Sequence, residues 1–224
     1  KHVGAYVTFN TNENQIVEVK VSSSFIDHDQ AWINLNRELP DSSTFNEIVK
    51  EGRKSWNKEL SKIKVESDNS NYGISNKIKF YSCFYRTILF PRQFHEYDKN
   101  GKQIHYSPYN GEILDGPLYT DNGFWDTFRA VFPFYSILYP EKLGEIMQGI
   151  MVNPYLESGW LPEWSSPGHR DCMIGSNSAS IIAEAYIKGV RNFDIETAYK
   201  GIINSSENEG AWSSVGRKGA SEYN

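Results

Sequence analysis

The sequence predicts a mainly α-helical fold with a small β portion, in which the helices pack as layered α/α hairpins. Three observations lead to this prediction. Apolar residues alternate with a period of two only near the N-terminus, and from about Asp27 onward the period is helical. Several later segments carry more than one apolar face, and Gly- and Pro-containing turns join them. No motif recurs at a fixed period, so the pattern does not indicate a short-repeat solenoid.

The N-terminal segment predicts a β-hairpin with one buried face. Apolar residues alternate on both sides of the turn NTNENQ, at Val3, Ala5, Val7 and Phe9 before it and at Val17, Val19 and Val21 after it. A lone hairpin is only marginally stable in water, and no later segment is an obvious sheet partner. The C-terminal stretch SSVGRKGASEYN is polar and carries no closing element. We therefore expect the chain to be part of a longer polypeptide.

Two helices are expected next. Residues Asp27 to Leu39 can form a short one. The stretch STFNEIVKEGRKSWNKELSKI follows with a Ser/Thr cap and a Glu at capping-box spacing. Its apolar residues lie on one side, namely Phe45, Ile48, Val49, Trp56, Leu60 and Ile63. These two helices are interpreted as a connector between the β portion and the rest of the chain.

The middle of the chain predicts a buried helix followed by a long irregular segment. After the polar loop VESDNSNYGISN, the stretch KIKFYSCFYRTILFP is apolar nearly all round, which is typical of a helix buried on several sides and ending at Pro91. Residues Arg92 to Thr120 are rich in Tyr, Gly, Asn and Pro. Loops of this length are usually functional or disordered, and the aromatic content favours an ordered segment with a few short strands or turns.

The remaining segments are predicted to be helical. Apolar residues from Phe124 to Leu138 have helical spacing despite Pro133, and the same pattern returns from Leu143 to Met151 after Pro140. It appears again from Ala179 to Ile187, and the stretch DIETAYKGII begins one more helix.

Composition and motifs argue against several classes of function and partner. The net charge of -5 and the pI near 5.6 argue against a nucleic-acid partner. No apolar run is long enough for a membrane helix, and the first residues lack the layout of a signal peptide. Cys83 and Cys172 are interpreted as two thiols, with a disulfide as the less favoured alternative. No His, Cys or Asp cluster has metal-ligand spacing, and no phosphate-binding loop motif occurs.

Two stretches carry candidate functional residues. In GFWDTFRAVFPFYSIL, Asp126 and Arg129 lie in the opening turn of an apolar segment, where they could be an ordinary helix-terminal ion pair at i, i+3. The loop ESGWLPEWSSPGHRDCMIGSNSAS favours a binding site over a simple ion pair, because it concentrates indoles, carboxylates, a histidine and an arginine between two helices. Aromatic faces next to carboxylates and Arg suit a carbohydrate, whose ring presents apolar C–H faces and whose hydroxyls pair with charged groups.

Each loop residue also has a structural interpretation. The indoles of Trp160 and Trp164 could pack in the core. Glu163 could be a general acid or a solvated loop charge, and His169 could cap a helix or lie in the core.

The stretches FYSCFYRTILFPR, HYSPYNGEI, YTDNGFWDTFRAVFPF and GWLPEWSSPGHRDCMIGSNSASIIAEAYIKG together resemble the α-mannosidases of glycoside hydrolase family 92. The resemblance implies a two-domain, calcium-dependent, exo-acting enzyme of glycan-degrading bacteria. Such an enzyme hydrolyses terminal α-mannosides of N-glycans with inversion, between a β-sandwich and an α/α toroid. It also implies a periplasmic, cell-surface or secreted location and a mannose-terminated glycan as substrate.

The resemblance divides the chain into three parts. Residues 1–27 would be the C-terminal hairpin of an N-terminal β-sandwich domain, and residues 28–76 a helical linker. Residues 77–224 would be the N-terminal part of the catalytic domain, an α/α toroid of six-hairpin type.

The same resemblance implies roles for individual residues. Trp125 and Asp126 would reach the mannose in the -1 subsite, with Asp126 accepting hydrogen bonds from sugar hydroxyls and Arg129 bracing the turn. Arg170 would join this subsite, and His169 is a further candidate. Cys172 and Met173 would line its floor.

The motifs that would carry catalysis do not occur in this sequence. In the family, the general acid, the aspartate base and most calcium ligands belong to strings of the EGNxWQY and GNDD type, and neither string is found here. We therefore expect no catalytic residue and no metal ligand set within this chain, and no activity of the chain by itself. The alternative function is a non-catalytic carbohydrate-binding or structural module that uses the same Trp, Asp and Arg residues.

Overall fold

The computed structural model describes residues 4–11, 16–173, 175–210 and 216, and confirms a mainly α fold with short strands. The helices are α1 (His28–Glu38), α2 (Phe45–Leu60), α3 (Asn71–Thr87), α4 (Phe124–Thr127), α5 (Val131–Leu138), α6 (Pro140–Met147), α7 (Asn153–Ser158), α8 (Asn177–Ile187) and α9 (Ile195–Glu207). A π-helical turn, Gln148–Val152, joins α6 to α7. The strands are β1 (Arg92–Gln93), β2 (Glu96–Tyr97), β3 (Gln103–Tyr106), β4 (Ile113–Asp115), β5 (Tyr119–Thr120), β6 (Asn122–Gly123) and β7 (Trp164–Ser165).

The predicted N-terminal hairpin is not present in the described residues 4–11 and 16–26, which form no strand. No backbone hydrogen bond joins these two stretches, and Val7 is 76% exposed. Alternating residues alone do not make a strand, because a strand needs a neighbour that satisfies its backbone N–H and C=O groups. Val3 and residues 12–15 lie outside the described residues. The assignment of residues 1–27 to a β-sandwich domain stays a prediction.

The two predicted connector helices form as α1 and α2, and each begins at a side-chain N-cap. Asp27 accepts a hydrogen bond from Gln30 N at the start of α1. Thr44 and Glu47 make a complete capping box at the start of α2, as the sequence predicts.

One carboxylate fastens the first helix to the short strands. Glu96 of β2 accepts hydrogen bonds from Ser24 Oγ at 2.7 Å, Phe25 N at 2.7 Å and Asn34 Nδ2 at 2.9 Å. The Phe25 ring stacks on Phe94 with 4.0 Å between centroids.

Helix α3 differs from its prediction in two ways. It starts at Asn71 with Ser70 as its cap, so half of the predicted polar loop is helical. Its apolar surface is also largely exposed, since only Gly73 and Phe84 are buried. An apolar sequence shows which faces of a helix could be buried, but neighbouring elements decide which faces are. Within the described residues, α3 packs chiefly against α2 and, through Phe84, against Phe134.

Five short strands order the segment from Arg92 to Thr120, as the aromatic content predicts. Strands β2, β3 and β4 form an antiparallel sheet, and β1 pairs with β5. The end of this segment leads directly into β6 and α4.

The helix predicted from Phe124 to Leu138 is broken. The first turn, α4, ends after Thr127, and α5 restarts at Val131, which places Pro133 in the first turn of α5, where a missing N–H costs little. The hydrophobic core lies between α5, α6, the π-helical turn and α8, with Phe124, Phe132, Met147, Ile150 and Ile181 among its fully buried members.

None of the helices that the structure describes is long and apolar enough to cross a membrane.

Candidate functional site

The pairing of β6 with β7 brings the two candidate stretches together. Asn122 lies opposite Ser165 and Gly123 opposite Trp164. Phe124 N, at the start of α4, donates a hydrogen bond to Glu163 O at 3.1 Å. Residues about forty positions apart in the chain therefore form one local structure, which holds the start of the WDTFR turn against the tryptophan-containing loop.

Asp126 lies in the first turn of α4 and is exposed. It has no hydrogen-bond or ion-pair partner among the residues that the structure describes. The guanidinium of Arg129 lies instead over the rings of Trp125 and Phe128, at 5.4 Å and 4.8 Å from their centroids. The Asp126–Arg129 ion pair of the structural interpretation does not form, and the carboxylate is open to a ligand.

The carboxylate of Asp126 and the indole of Trp164 both lie next to Gly123. A Cβ at Gly123 would lie 3.2 Å from Cε3 of Trp164 and 3.4 Å from Oδ2 of Asp126. The apolar face of Trp164 and a hydrogen-bond acceptor thus flank the same glycine. Trp125, the residue before Asp126, is 45% exposed.

The backbone before this turn is held in an unusual conformation. Asp121 has a φ of 59°, a left-handed conformation that Asp tolerates better than most residues. Its carboxylate forms an ion pair with Arg92 and accepts a hydrogen bond from Ser166 Oγ at 2.7 Å. Thr127 Oγ1 donates to Asn122 Oδ1 at 2.7 Å, which ties α4 back to β6. The direction of the α4 turn is therefore fixed from both ends.

Arg170 lies at the end of a tight hairpin that Trp164 begins. Its backbone N donates to Trp164 O at 3.0 Å, and Ser166 N donates to Gly168 O at 3.0 Å. Gly168 has a φ of 72° and approaches Pro108 closely, which explains a glycine at this position. Arg170 is exposed. The geometry thus puts Arg170 on the same hairpin as the Trp164 indole.

His169 has a different environment from Arg170. Its Nε2 lies 2.8 Å from Ser158 Oγ, and its ring packs edge-on against Tyr109 with 4.9 Å between centroids. Burial lowers the pKa of His169 to about 4, so the imidazole is neutral near pH 7. These contacts favour the core interpretation of His169 over a direct contact with a sugar.

Glu163 is buried, so its interpretation as a solvated loop charge is wrong. Its two carboxylate oxygens accept four hydrogen bonds from the first turn of α8, from Asn177 N (2.9 Å), Asn177 Nδ2 (3.3 Å), Ser178 N (3.2 Å) and Ser178 Oγ (2.5 Å). Burial raises the pKa of Glu163, although these bonds oppose the shift. Because both oxygens are committed to the helix terminus, Glu163 is not placed to protonate a leaving group.

The described residues contain no group of three or more His, Cys, Asp or Glu side chains that could hold a metal ion. Cys83 and Cys172 are free, exposed thiols, as the sequence analysis favoured. Met173 has a φ of 74°, and residue 174 lies outside the described residues.

Sequence reasoning missed a buried polar group next to the hairpin. The imidazole of His105 and the carboxylate of Glu157 form a pair with Nε2 and Oε1 3.0 Å apart. No spacing rule could have found it, since the two residues belong to β3 and α7.

The family model described as the glycosyl hydrolase family 92 catalytic domain matches residues 30–224. The family GH92 inverting mannosidase of Bacteroides thetaiotaomicron VPI-5482 is 46% identical, with a TM-score of 0.82 over 89% of this chain and 26% of that one. A second solved structure, the GH92 family glycosyl hydrolase ccman5, is 20% identical with a TM-score of 0.59, over 78% of this chain and 23% of that one.

A protein of Arthroderma benhamiae described as an uncharacterized secreted glycosidase is 27% identical, over 96% of this chain and 24% of its own length. The chain therefore spans about a quarter of the length of these relatives.

Proposed function

The chain belongs to glycosyl hydrolase family 92, and on this premise we propose that it is part of an exo-acting α-mannosidase that removes terminal α-mannosides from glycans with inversion. The membership rests on the match over residues 30–224. The 46% identity to an inverting mannosidase supports the choice of substrate and of stereochemical outcome.

One observation carries the proposal for the binding site. The exposed carboxylate of Asp126 and the indole of Trp164 flank Gly123, and the strand pairing that joins them also places Arg170 at the end of the same hairpin. This combination suits a hexose, because an indole can cover its C–H face while charged groups exchange hydrogen bonds with its hydroxyls. We assign Trp125, Asp126 and Arg170 to the mannose subsite, and His169 to the support of the hairpin.

In this proposal each residue has one role. Asp126 accepts hydrogen bonds from two sugar hydroxyls, and Arg170 donates to sugar oxygens. The indoles exclude water from one face of the ring, which strengthens these charged hydrogen bonds. Together they orient the scissile bond toward the catalytic carboxylates.

The catalytic carboxylates themselves are proposed to lie in the remainder of the polypeptide. An inverting enzyme uses one carboxylic acid to protonate the leaving oxygen and one carboxylate to activate water on the opposite face, with about 6.5–9.5 Å between them. Glu163, a buried acid in the right stretch, does not fit because its oxygens hold the α8 terminus.

Calcium dependence is likewise proposed for the whole enzyme only. The described residues supply no ligand cluster of their own, so the proposal places most ligands elsewhere in the polypeptide. The secreted description of the fungal relative supports an extracytoplasmic location. The same proposal takes N-glycans as the substrate and a bacterium as the source of the enzyme.

The test uses the full-length polypeptide that contains this chain. Aryl α-mannoside turnover is measured with calcium and with a chelator, and proton NMR identifies the first-formed anomer of mannose. We expect turnover, its loss on chelation, and β-mannose as the first product. Saturable mannoside binding without turnover would favour the carbohydrate-binding module instead. Release of α-mannose first would contradict inversion.

A further inference from the structure

The buried pair His105–Glu157 connects β3 to the end of α7. Both side chains are almost fully buried, with 0% and 6% exposure. The His105 Nδ1 lies 2.9 Å from the carbonyl oxygen of Gly116, and its Nε2 lies 3.0 Å from Glu157 Oε1. The second carboxylate oxygen, Oε2, is buried and has no hydrogen-bond partner among the described residues.

The two hydrogen bonds of His105 determine how many protons the histidine and the glutamate hold between them. A carbonyl oxygen only accepts, so Nδ1 of His105 carries a proton and donates it to Gly116. The contact between Nε2 and Glu157 then needs one further proton, held either by an imidazolium or by a carboxylic acid. In both states the pair is neutral overall, which makes its burial tolerable.

The pair lies next to Ser158, which contacts the hairpin formed by Trp164–Arg170. Glu157 precedes Ser158, whose Oγ meets His169 Nε2 at 2.8 Å and the backbone N of Trp160 at 3.1 Å. Ser158 Oγ also lies 2.7 Å from Pro154 O, to which it donates within α7.

A second connection starts from the turn after β3. There Tyr109 packs against the His169 ring and places its hydroxyl 3.3 Å from Ser165 Oγ. Burial raises the pKa of Tyr109, which keeps the phenol protonated and able to donate. The hairpin therefore contacts β6 through Trp164 and Ser165, and it contacts Ser158 and Tyr109 through His169 and Ser165.

We propose that His105 and Glu157 are positioning residues for substrate binding, which act by fixing the hairpin that carries Arg170. This rests on the proposed function, because it takes Arg170 as a sugar contact. Neither residue touches the sugar. Their effect passes through Ser158, Tyr109 and His169 to the backbone between Trp164 and Arg170, and a hairpin that shifts by about 1 Å loses the charged hydrogen bonds of its arginine.

The test is a double-mutant cycle in the full-length enzyme, measured as kcat/KM for an aryl α-mannoside. Glu157→Ala should lower kcat/KM about tenfold, whereas Glu157→Gln should stay within about threefold of wild type, because its amide can donate to a neutral His105. In an Arg170→Ala background, Glu157→Ala should lower kcat/KM less than about threefold further, since the contact it positions is already gone.

A control comes from a second histidine–glutamate contact among the described residues, in which the histidine is buried and the glutamate is partly exposed. Glu145, on α6, lies 3.8 Å from buried His95 and accepts a hydrogen bond from Tyr119 Oη at 2.8 Å. Within the described residues, none of its hydrogen bonds or ion pairs reaches the hairpin. Glu145→Ala should lower the melting temperature while leaving kcat/KM within about twofold. If Glu157→Ala does not fold, Ser158→Ala replaces it in the cycle, because it removes the His169 contact and leaves the buried pair intact.

The outcomes separate the inference from the function on which it rests. Losses from Glu157→Ala and Arg170→Ala that multiply independently would overturn the inference while the sugar contact of Arg170 stood. Unchanged kcat/KM in both Glu157→Ala and Ser158→Ala would overturn it as well. An Arg170→Ala enzyme with wild-type kcat/KM would instead remove the sugar contact, and the positioning role with it.

Discussion

Replacing Asp126 by Asn tests the proposed mannose subsite most directly. The substitution keeps the size of the side chain and removes its charge. Asp126 is exposed and has no partner among the described residues, so the structure offers it little role in stability. We expect Asp126→Asn to change the free energy of unfolding by less than about 0.5 kcal/mol, as for ordinary surface substitutions.

The expected effect on catalysis is larger because the carboxylate would bind hydroxyls in a site that the sugar and the indoles desolvate. A hydrogen bond to a charged group contributes about 1.5–3 kcal/mol. Loss of one such bond should lower kcat/KM between about tenfold and 150-fold. The loss grows if the bonds tighten as the sugar ring distorts toward the transition state.

The assay is steady-state kinetics of the full-length, calcium-replete variant with an aryl α-mannoside, together with a thermal melt. Asp29→Asn is the matched control, because Asp29 is also an exposed first-turn aspartate, on α1, and lies outside the proposed site. It should leave both kcat/KM and the melting temperature unchanged. A folded Asp126→Asn enzyme within about threefold of wild type, under roughly 0.7 kcal/mol, would refute the assignment of Asp126 to the subsite.

Three further predictions concern stability. Burial lowers the pKa of His169 to about 4, below its ordinary 6.5. The protein therefore keeps the full stability due to neutral His169 above about pH 6.5 and loses it as the pH falls toward 4. His169→Gln should flatten the plot of melting temperature against pH in this range. Gly149→Ala should lower the free energy of unfolding by about 1–3 kcal/mol in urea titrations, since its Cβ would lie 2.8 Å from Tyr119, whereas Gly52→Ala, in open space on α2, should raise it by about 0.5–1 kcal/mol. Glu163→Gln should cost about 2–3 kcal/mol in the same titrations, because one amide group would face N–H donors of α8.

Each of these predictions has an opposing result. A melting profile that keeps its acid slope in His169→Gln would assign that slope to other groups. Equal effects of the two glycine substitutions would show that the space beside Gly149 is not tight. A Glu163→Gln protein as stable as wild type would mean that the carboxylate does not hold α8.

The sequence by itself determined the features that depend on neighbouring residues. The capping box of Thr44 and Glu47 and the helices that begin after Asp27 and Asp194 follow from side chains that bond to backbone groups three positions away. Composition likewise predicts an ordered segment with a few short strands or turns between Arg92 and Thr120, where the structure has five short strands. The resemblance to family 92 was carried by contiguous strings, which is why it needed no structure.

Tertiary structure decided what depends on distant partners. Alternating valines near the N-terminus form no strand in the described residues, because a strand needs a neighbour and the pattern does not say whether one is present. From the sequence, Glu163 could be a general acid or a solvated loop charge, but in the structure it is buried and its carboxylate binds the first turn of α8. The same reason applies to Asp126 and Trp164, which meet at Gly123 only because β6 and β7 pair across forty residues. Local pattern sets which groups are available, and the long-range pairing of the backbone sets which of them meet.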